Sequence, residues 1–217
     1  MNAVLFDMDG TLIDSKKTIS RHFITALDEM GVPHSLDLES LGDQLEIPFI
    51  ELNHRLGLNL DKKKINEFIS LYRKNYLLDP VNGTKIYEGV EEVLCYIKTR
   101  RIKIVLVTGK RNDAARLILE KLGLTDYFDW IQGEEEGLKA KPEPDILKHA
   151  LYHIHIPAQD CIMVGDTHVD ILAGKSLGMK TVAALYGLGK KATLEKTHPD
   201  FWIKTIRDLI KIMEDKS

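Results

Sequence analysis

The chain has 217 residues, 44% of them apolar, which is enough for one large domain or for one domain carrying a smaller insert. Its 33 acidic and 30 basic side chains leave a net charge of −3, so charge gives no drive toward nucleic acid or an anionic membrane. Two cysteines make no disulfide framework, no apolar stretch approaches the ~20 residues of a membrane span, and the N-terminus shows no secretory leader, so a cytoplasmic protein without nucleic-acid or membrane partners is expected.

Residues 3–6, Ala-Val-Leu-Phe, form a short apolar run that stops at Asp7 and predicts a buried parallel strand. From about Lys16 to Gly83 the pattern is helical and no strand stands out. Residues 19–30 are amphipathic and end at Gly31-Val32-Pro33; residues 47–56 and 65–78 are helical as well. Asn82-Gly83-Thr84 reads as a turn. Val90, Val93, Leu94 and Ile97 then share one face of a helix over 90–99. A strand at 104–107 follows, and then a helix at 112–122 stopped by Gly123. The alternation continues with a strand at 128–131, a helix at 144–154, a strand at 161–164, a helix at 171–177 and a strand at 181–185. Near the C-terminus Trp202, Ile206, Leu209, Ile210 and Met213 fall on one helical face, with Thr205 and Asp208 spaced as a capping box.

Strand alternating with helix predicts an α/β fold, a doubly wound parallel sheet. The helical stretch that interrupts it predicts an inserted, all-helical cap domain. The expected division is 1–15 and 84–217 for the core and 16–83 for the cap, with joints near 14–17 and 82–87.

Four polar clusters follow predicted strands, where open α/β sheets bind their ligands. They are Asp7-Met8-Asp9-Gly10-Thr11, Thr108-Gly109, Lys141-Pro142 beyond a short acidic loop, and Gly165-Asp166-Thr167-His168-Val169-Asp170. Carboxylates converging on one point repel each other unless a cation neutralises them, and hard oxygen donors suit Mg²⁺. A carboxylate is also a competent nucleophile toward phosphorus. A threonine hydroxyl, backbone amides beside glycine and a lysine are the groups a transferring phosphoryl needs around its oxygens.

These four motifs in this order resemble the haloacid dehalogenase superfamily in its phosphatase branch, and the resemblance covers nearly the whole chain. The stretches Tyr87-Glu88-Gly89-Val90, Leu122-Gly123-Leu124 and Lys141-Pro142-Glu143-Pro144-Asp145 look like the phosphoglycolate phosphatase group with its helical cap. Pyrophosphatase and β-phosphoglucomutase relatives share most of these features. The resemblance implies Asp7 as nucleophile and Asp9 as general acid and base. It implies Mg²⁺ held by the Asp7 carboxylate, the Asp9 carbonyl and Asp166, with Asp170 in support. Thr108 and the amides around Gly10 and Gly109 would bind phosphoryl oxygens, Lys141 would screen charge, and Thr11 would orient Asp9. The substrate implied is a small phosphorylated metabolite, with phosphoglycolate first, acted on by a monomer or homodimer. A second aspartate at position 9 argues against dehalogenation, which needs no acid for a leaving alkoxide. Where the group usually carries asparagine after the threonine, this chain has Gly109.

Other features have blander readings. Asp166 and Asp170 stand at helical spacing, so Asp170 could cap or pair locally. His149 and His153 are four apart, a spacing that can hold zinc, but no carboxylate or cysteine completes a set, so structural or solvated histidines are expected. Gly187-Leu188-Gly189-Lys190-Lys191 lacks the glycine spacing of a phosphate loop and reads as a mobile loop after the fifth strand. Arg21, His22, Arg55 and Arg73 are the cap residues that could meet a leaving group, and each is more simply a helix surface residue.

Overall fold

The computed structural model describes residues 1–42, 44 and 49–214. The chain begins with β1 (Ala3–Phe6), β2 (Ile13–Asp14), α1 (Lys16–Glu29), α2 (Leu38–Gly42), α3 (Phe49–Arg55) and α4 (Lys62–Leu78). It continues with β3 (Lys85–Ile86), α5 (Val90–Thr99), β4 (Lys103–Arg111), α6 (Asn112–Lys121), β5 (Trp130–Glu134) and α7 (Asp145–Ile154). It ends with β6 (Cys161–Gly165), α8 (His168–Ser176), β7 (Lys180–Ala184), α9 (Lys191–Glu195), β8 (Phe201–Ile203) and α10 (Asp208–Glu214). Two compact units result, one of Met1–Asp14 with Ile86–Ser217 and one of Ser15–Lys85.

The first unit holds a six-stranded sheet in the order β5-β4-β1-β6-β7-β8, parallel throughout. A separate two-stranded sheet pairs β2 with β3. All four side chains of β1 are fully buried, which is why the strand reads as an unbroken apolar run. On one face Ala3, Leu5, Val105, Val107, Cys161 and Met163 pack against Ile146, Leu147, Ala150 and Leu151 of α7. Each Val, Leu, Ile or Met among them contributes about 1.5–3 kcal/mol when fully buried.

Register fixes where the strands end. Phe6 stands opposite Leu106 of β4 and Val164 of β6, so β1 and β6 end within a residue of one level while β4 runs on to Arg111. The chain steps outward from β1 to β4 and β5, then crosses back to β6, β7 and β8. That reversal opens a crevice at the carboxyl edge beside β1, the place where ligands bind in such sheets.

The second unit is built on helices. Phe23, Ala26 and Leu27 of α1 pack with Leu41, Leu52, Leu60 and Phe68, and the Phe23 and Phe68 rings meet edge to face at 4.8 Å. Asp61 caps α4 by accepting from the Lys64 amide at 2.9 Å. Arg21 and His22 converge on Asp79, at 3.0 Å from its Oδ2 and 2.8 Å from its carbonyl, so both brace this unit internally. Among the described residues no helix is long and apolar enough to cross a membrane.

The doubly wound sheet expected from the sequence is present, and the helix at Val90–Thr99 has the expected bounds. The expected start at residue 47 of the helix over 47–56 lies outside the described residues. One element differs in kind: Phe201–Ile203 is a sixth strand rather than part of the C-terminal helical face. There Ile203 is buried and its carbonyl accepts from Leu185 N at 2.9 Å, while Trp202 is 38% exposed. Asp208 does act at the helix start, accepting from the Thr205 and Lys204 amides at 2.9 Å each.

Candidate active site

Asp7 directly extends β1, and its amide donates to the Val164 carbonyl at 2.9 Å. Strand alternation therefore sends its side chain to the same face as Ala3 and Leu5, the face covered by α7. The segment entering α7 carries Lys141 to that point. The Lys141 ammonium donates to Asp7 Oδ1 at 2.6 Å, Asp170 Oδ1 at 2.5 Å and the Val107 carbonyl at 3.0 Å. All three ammonium protons are used. The carboxylates of Asp7, Asp166 and Asp170 offer oxygens that lie within 4.8 Å of one another.

Beyond Asp7 the chain winds around the Met8 carbonyl, which accepts from the Thr11, Leu12 and Ile13 amides at 3.3, 2.9 and 3.1 Å. Gly10 takes φ +84°, and a Cβ there would fall on the Asp166 carboxylate, so both conformation and space call for glycine. Asp9 Oδ2 lies 3.2 Å from Lys110 Nζ, with both side chains largely buried. Thr108 is buried in the C-terminal half of β4, and its Oγ1 accepts from the Lys110 amide at 3.2 Å. Gly109 beside it is exposed.

Asp166 is fully buried, with each oxygen held separately. Oδ1 accepts from the Thr11 hydroxyl at 2.9 Å and Oδ2 from the Leu188 amide at 2.6 Å. Thr11, expected to orient Asp9, thus donates to Asp166 instead, because the turn after Asp9 directs it toward β6. Asp170 caps its own helix, Oδ2 accepting from Thr167 N and Oγ1 at 3.0 and 2.6 Å, while Oδ1 accepts from Lys141.

Electrostatics follow from burial. Burial pushes Asp7 up to about 7; Lys141 pulls against this, while Asp170 and Asp9 add to it. Asp166 is raised well above its usual value by burial and then by Asp7 and Asp170, against the opposing bonds from Leu188 and Thr11. Lys141 is raised: its burial acts downward and is outweighed by Asp170 and Asp7. Three carboxylates facing one ammonium leave two negative charges uncompensated when all are ionised. That excess, presented on carboxylate oxygens, fits a hard divalent cation.

The structure thus brings Asp7, Lys141, Asp166 and Asp170 into one cluster and sets Asp9 and Thr108 about Lys110. Lys110 was not anticipated, being one basic residue in a charged strand end. Nor was the segment after β7. The loop expected to be mobile is a wall of this site: Leu188 binds Asp166, and a Cβ on Gly187 or Gly189 would collide with Asp166. Tyr186 donates to the Thr11 carbonyl at 2.9 Å, and the Tyr87 ring meets it edge to face at 4.9 Å. Both phenols are raised by burial and nearby carboxylates, so they remain O–H donors at neutral pH. The two glycines flanking Leu188 were the sequence signal for this close approach. Burial pushes the Cys161 thiol up to about 12, which disfavours the reactive thiolate.

Comparison with known proteins identifies the family. A family model described as haloacid dehalogenase-like hydrolase matches residues 4–184. A phosphoglycolate phosphatase of Aquifex aeolicus is 35% identical over 217 residues, covering 99% of this chain and 98% of its own. A pyrophosphatase, PpaX, of Bacillus cereus is 31% identical over 216 residues, covering 99% and 97%. Among solved structures, a haloacid dehalogenase-like family hydrolase of Streptococcus pneumoniae superposes with a TM-score of 0.85 at 25% identity, covering 98% of each chain.

Proposed function

Because the chain belongs to the haloacid dehalogenase-like hydrolases, we propose that it is a Mg²⁺-dependent phosphatase working through an aspartyl-phosphate. The observation that carries this reading is the Asp7 carboxylate at the strand end, held by Lys141 among carboxylates that fit a divalent cation. In the proposed reaction an Asp7 oxygen attacks phosphorus, and the bond from phosphorus to the leaving oxygen breaks. Asp9 delivers a proton to that oxygen. Asp9 then takes a proton from water, whose oxygen attacks phosphorus and breaks the bond to Asp7, so that phosphate leaves and the carboxylate returns. Lys141 orients Asp7 and screens its charge, while Thr108 and the amides around Gly10 and Gly109 receive the phosphoryl oxygens. Asp7, the Asp9 carbonyl, Asp166 and Asp170 would hold Mg²⁺, which supplies neutralising charge for the phosphoryl oxygens.

We assign the helical unit Ser15–Lys85 as the cap and a small phosphorylated metabolite as the substrate. Phosphoglycolate is placed first, on the likeness to the Aquifex aeolicus enzyme. Inorganic pyrophosphate is a second reading, favoured by the similarity to PpaX. The proposed setting is the cytoplasm, as a monomer or homodimer, which agrees with two free cysteines. The test is phosphate release from phosphoglycolate, pyrophosphate and a panel of small phosphate esters, with Mg²⁺ and with chelator. Metal-dependent release concentrated on one compound supports the reading and names the substrate. No release from any of them by folded protein refutes it.

A further inference from the structure

Away from the carboxylate cluster, α7 carries two imidazoles beside Trp130 and Gln132 of β5. His149 and His153 share one face of α7, and their Nε2 atoms are 3.4 Å apart. Spacing alone left this pair unremarkable; what surrounds it does not. Gln132 of β5 is buried, and its Nε2 donates to the Gly133 carbonyl at 3.1 Å and to Glu135 Oε2 at 3.3 Å. Its Oε1 is therefore an acceptor, and it receives Trp130 Nε1–H at 3.2 Å. His149 Nδ1 lies 2.7 Å from that same oxygen, so Nδ1 carries the proton and Nε2 of the neutral ring carries a lone pair. The His153 ring is held in turn by Trp130, stacked at 3.9 Å with 13° between planes.

We propose that His149 and His153 form a binding site for a borderline divalent transition cation of the Cu²⁺, Ni²⁺ or Zn²⁺ class. Two imidazole nitrogens bound at ~2.0–2.1 Å and at a tetrahedral angle stand ~3.3–3.4 Å apart, which matches the observed separation. An outer carbonyl that accepts Nδ1–H is the usual partner of a metal-binding histidine, because it fixes the tautomer and makes the free nitrogen more basic. Imidazole donors suit these cations rather than Mg²⁺, so this site and the carboxylate cluster select different metals. Solvent completes the coordination, since His153 is exposed.

The probe is Cu²⁺, which binds nitrogen sites tightest among these ions. Titrated in saturating Mg²⁺, it is expected to quench the fluorescence of Trp130 saturably, at one equivalent per chain. His153→Phe keeps a ring over Trp130 but removes the nitrogen, and it is expected to weaken this phase at least ~10-fold, as is His149→Ala. Absence of a saturable phase in the unaltered protein overturns the proposal. So does an unchanged titration in His153→Phe with an unaltered metal-free thermal transition, because the ion would then sit elsewhere.

Discussion

Replacing Asp7, the proposed nucleophile, should make the metal-free protein more stable. Asp7 is buried, and its carboxyl is pushed from 3.8 up to about 7, by burial first and by Asp170 and Asp9 against the opposing pull of Lys141. Between those values the folded chain holds a proton that the unfolded chain releases. Stability therefore falls as pH rises through about 4 to 7, and the whole penalty is present above that window. A shift of about three units at ~1.4 kcal/mol each sets an upper figure of about 4 kcal/mol. Asn at position 7 keeps the shape and an acceptor for Lys141 but never ionises. In chelator at pH 8, Asp7→Asn should be more stable by about 2–4 kcal/mol, or about 4–16 °C in unfolding midpoint for a chain of this size. The gain should vanish as pH falls toward 4, and Mg²⁺ should restore the unaltered protein. Thermal and denaturant unfolding followed by circular dichroism, at pH 5 and pH 8, measures both slopes. An Asp7→Asn protein no more stable than the original at pH 8, or an original without the downward slope, would refute this account of the cluster.

Leu188→Pro removes the amide that holds Asp166 Oδ2 and should weaken Mg²⁺ binding about 10–100-fold by calorimetry, with or without substrate present. Asp200 ties β7 to the segment before β8, accepting from Lys180 Nζ at 2.8 Å, Thr181 N at 3.0 Å and Thr181 Oγ1 at 2.9 Å. Its burial acts upward, but those bonds win and hold it below the usual carboxylate value. Asp200→Ala should cost about 1–3 kcal/mol in urea unfolding at neutral pH, and less once acid protonates the carboxylate in both states.

Much of the core was legible because its strands are buried on both faces. Ala3–Phe6 and Cys161–Gly165 carry uninterrupted apolar side chains, and the polar residue that ends each run stands at the sheet's carboxyl edge. Helix bounds were clear where the apolar face was regular, as at Val90–Thr99, which Gly89 precedes. What escaped depended on tertiary placement. Phe201–Ile203 is three residues long, too short to show a period, and it becomes a strand only by pairing with β7. Leu188 contributes through its backbone N–H, which no side-chain pattern reports. Thr11 sits beside Asp9 in sequence, yet the turn about Met8 delivers its hydroxyl to Asp166. The tautomer of His149 is set by Gln132 from another element, so helical spacing alone could not give the pair a role.

The central claim is that Asp7 carries the phosphoryl group. Single turnover of a phosphorus-labelled substrate, quenched in acid and mapped by peptide mass spectrometry, addresses it directly. The account predicts transient label on the peptide bearing Asp7, longer-lived when Asp9 is changed to Asn and absent in Asp7→Asn. Full-rate phosphate release by Asp7→Asn, or label confined to another residue, would contradict it.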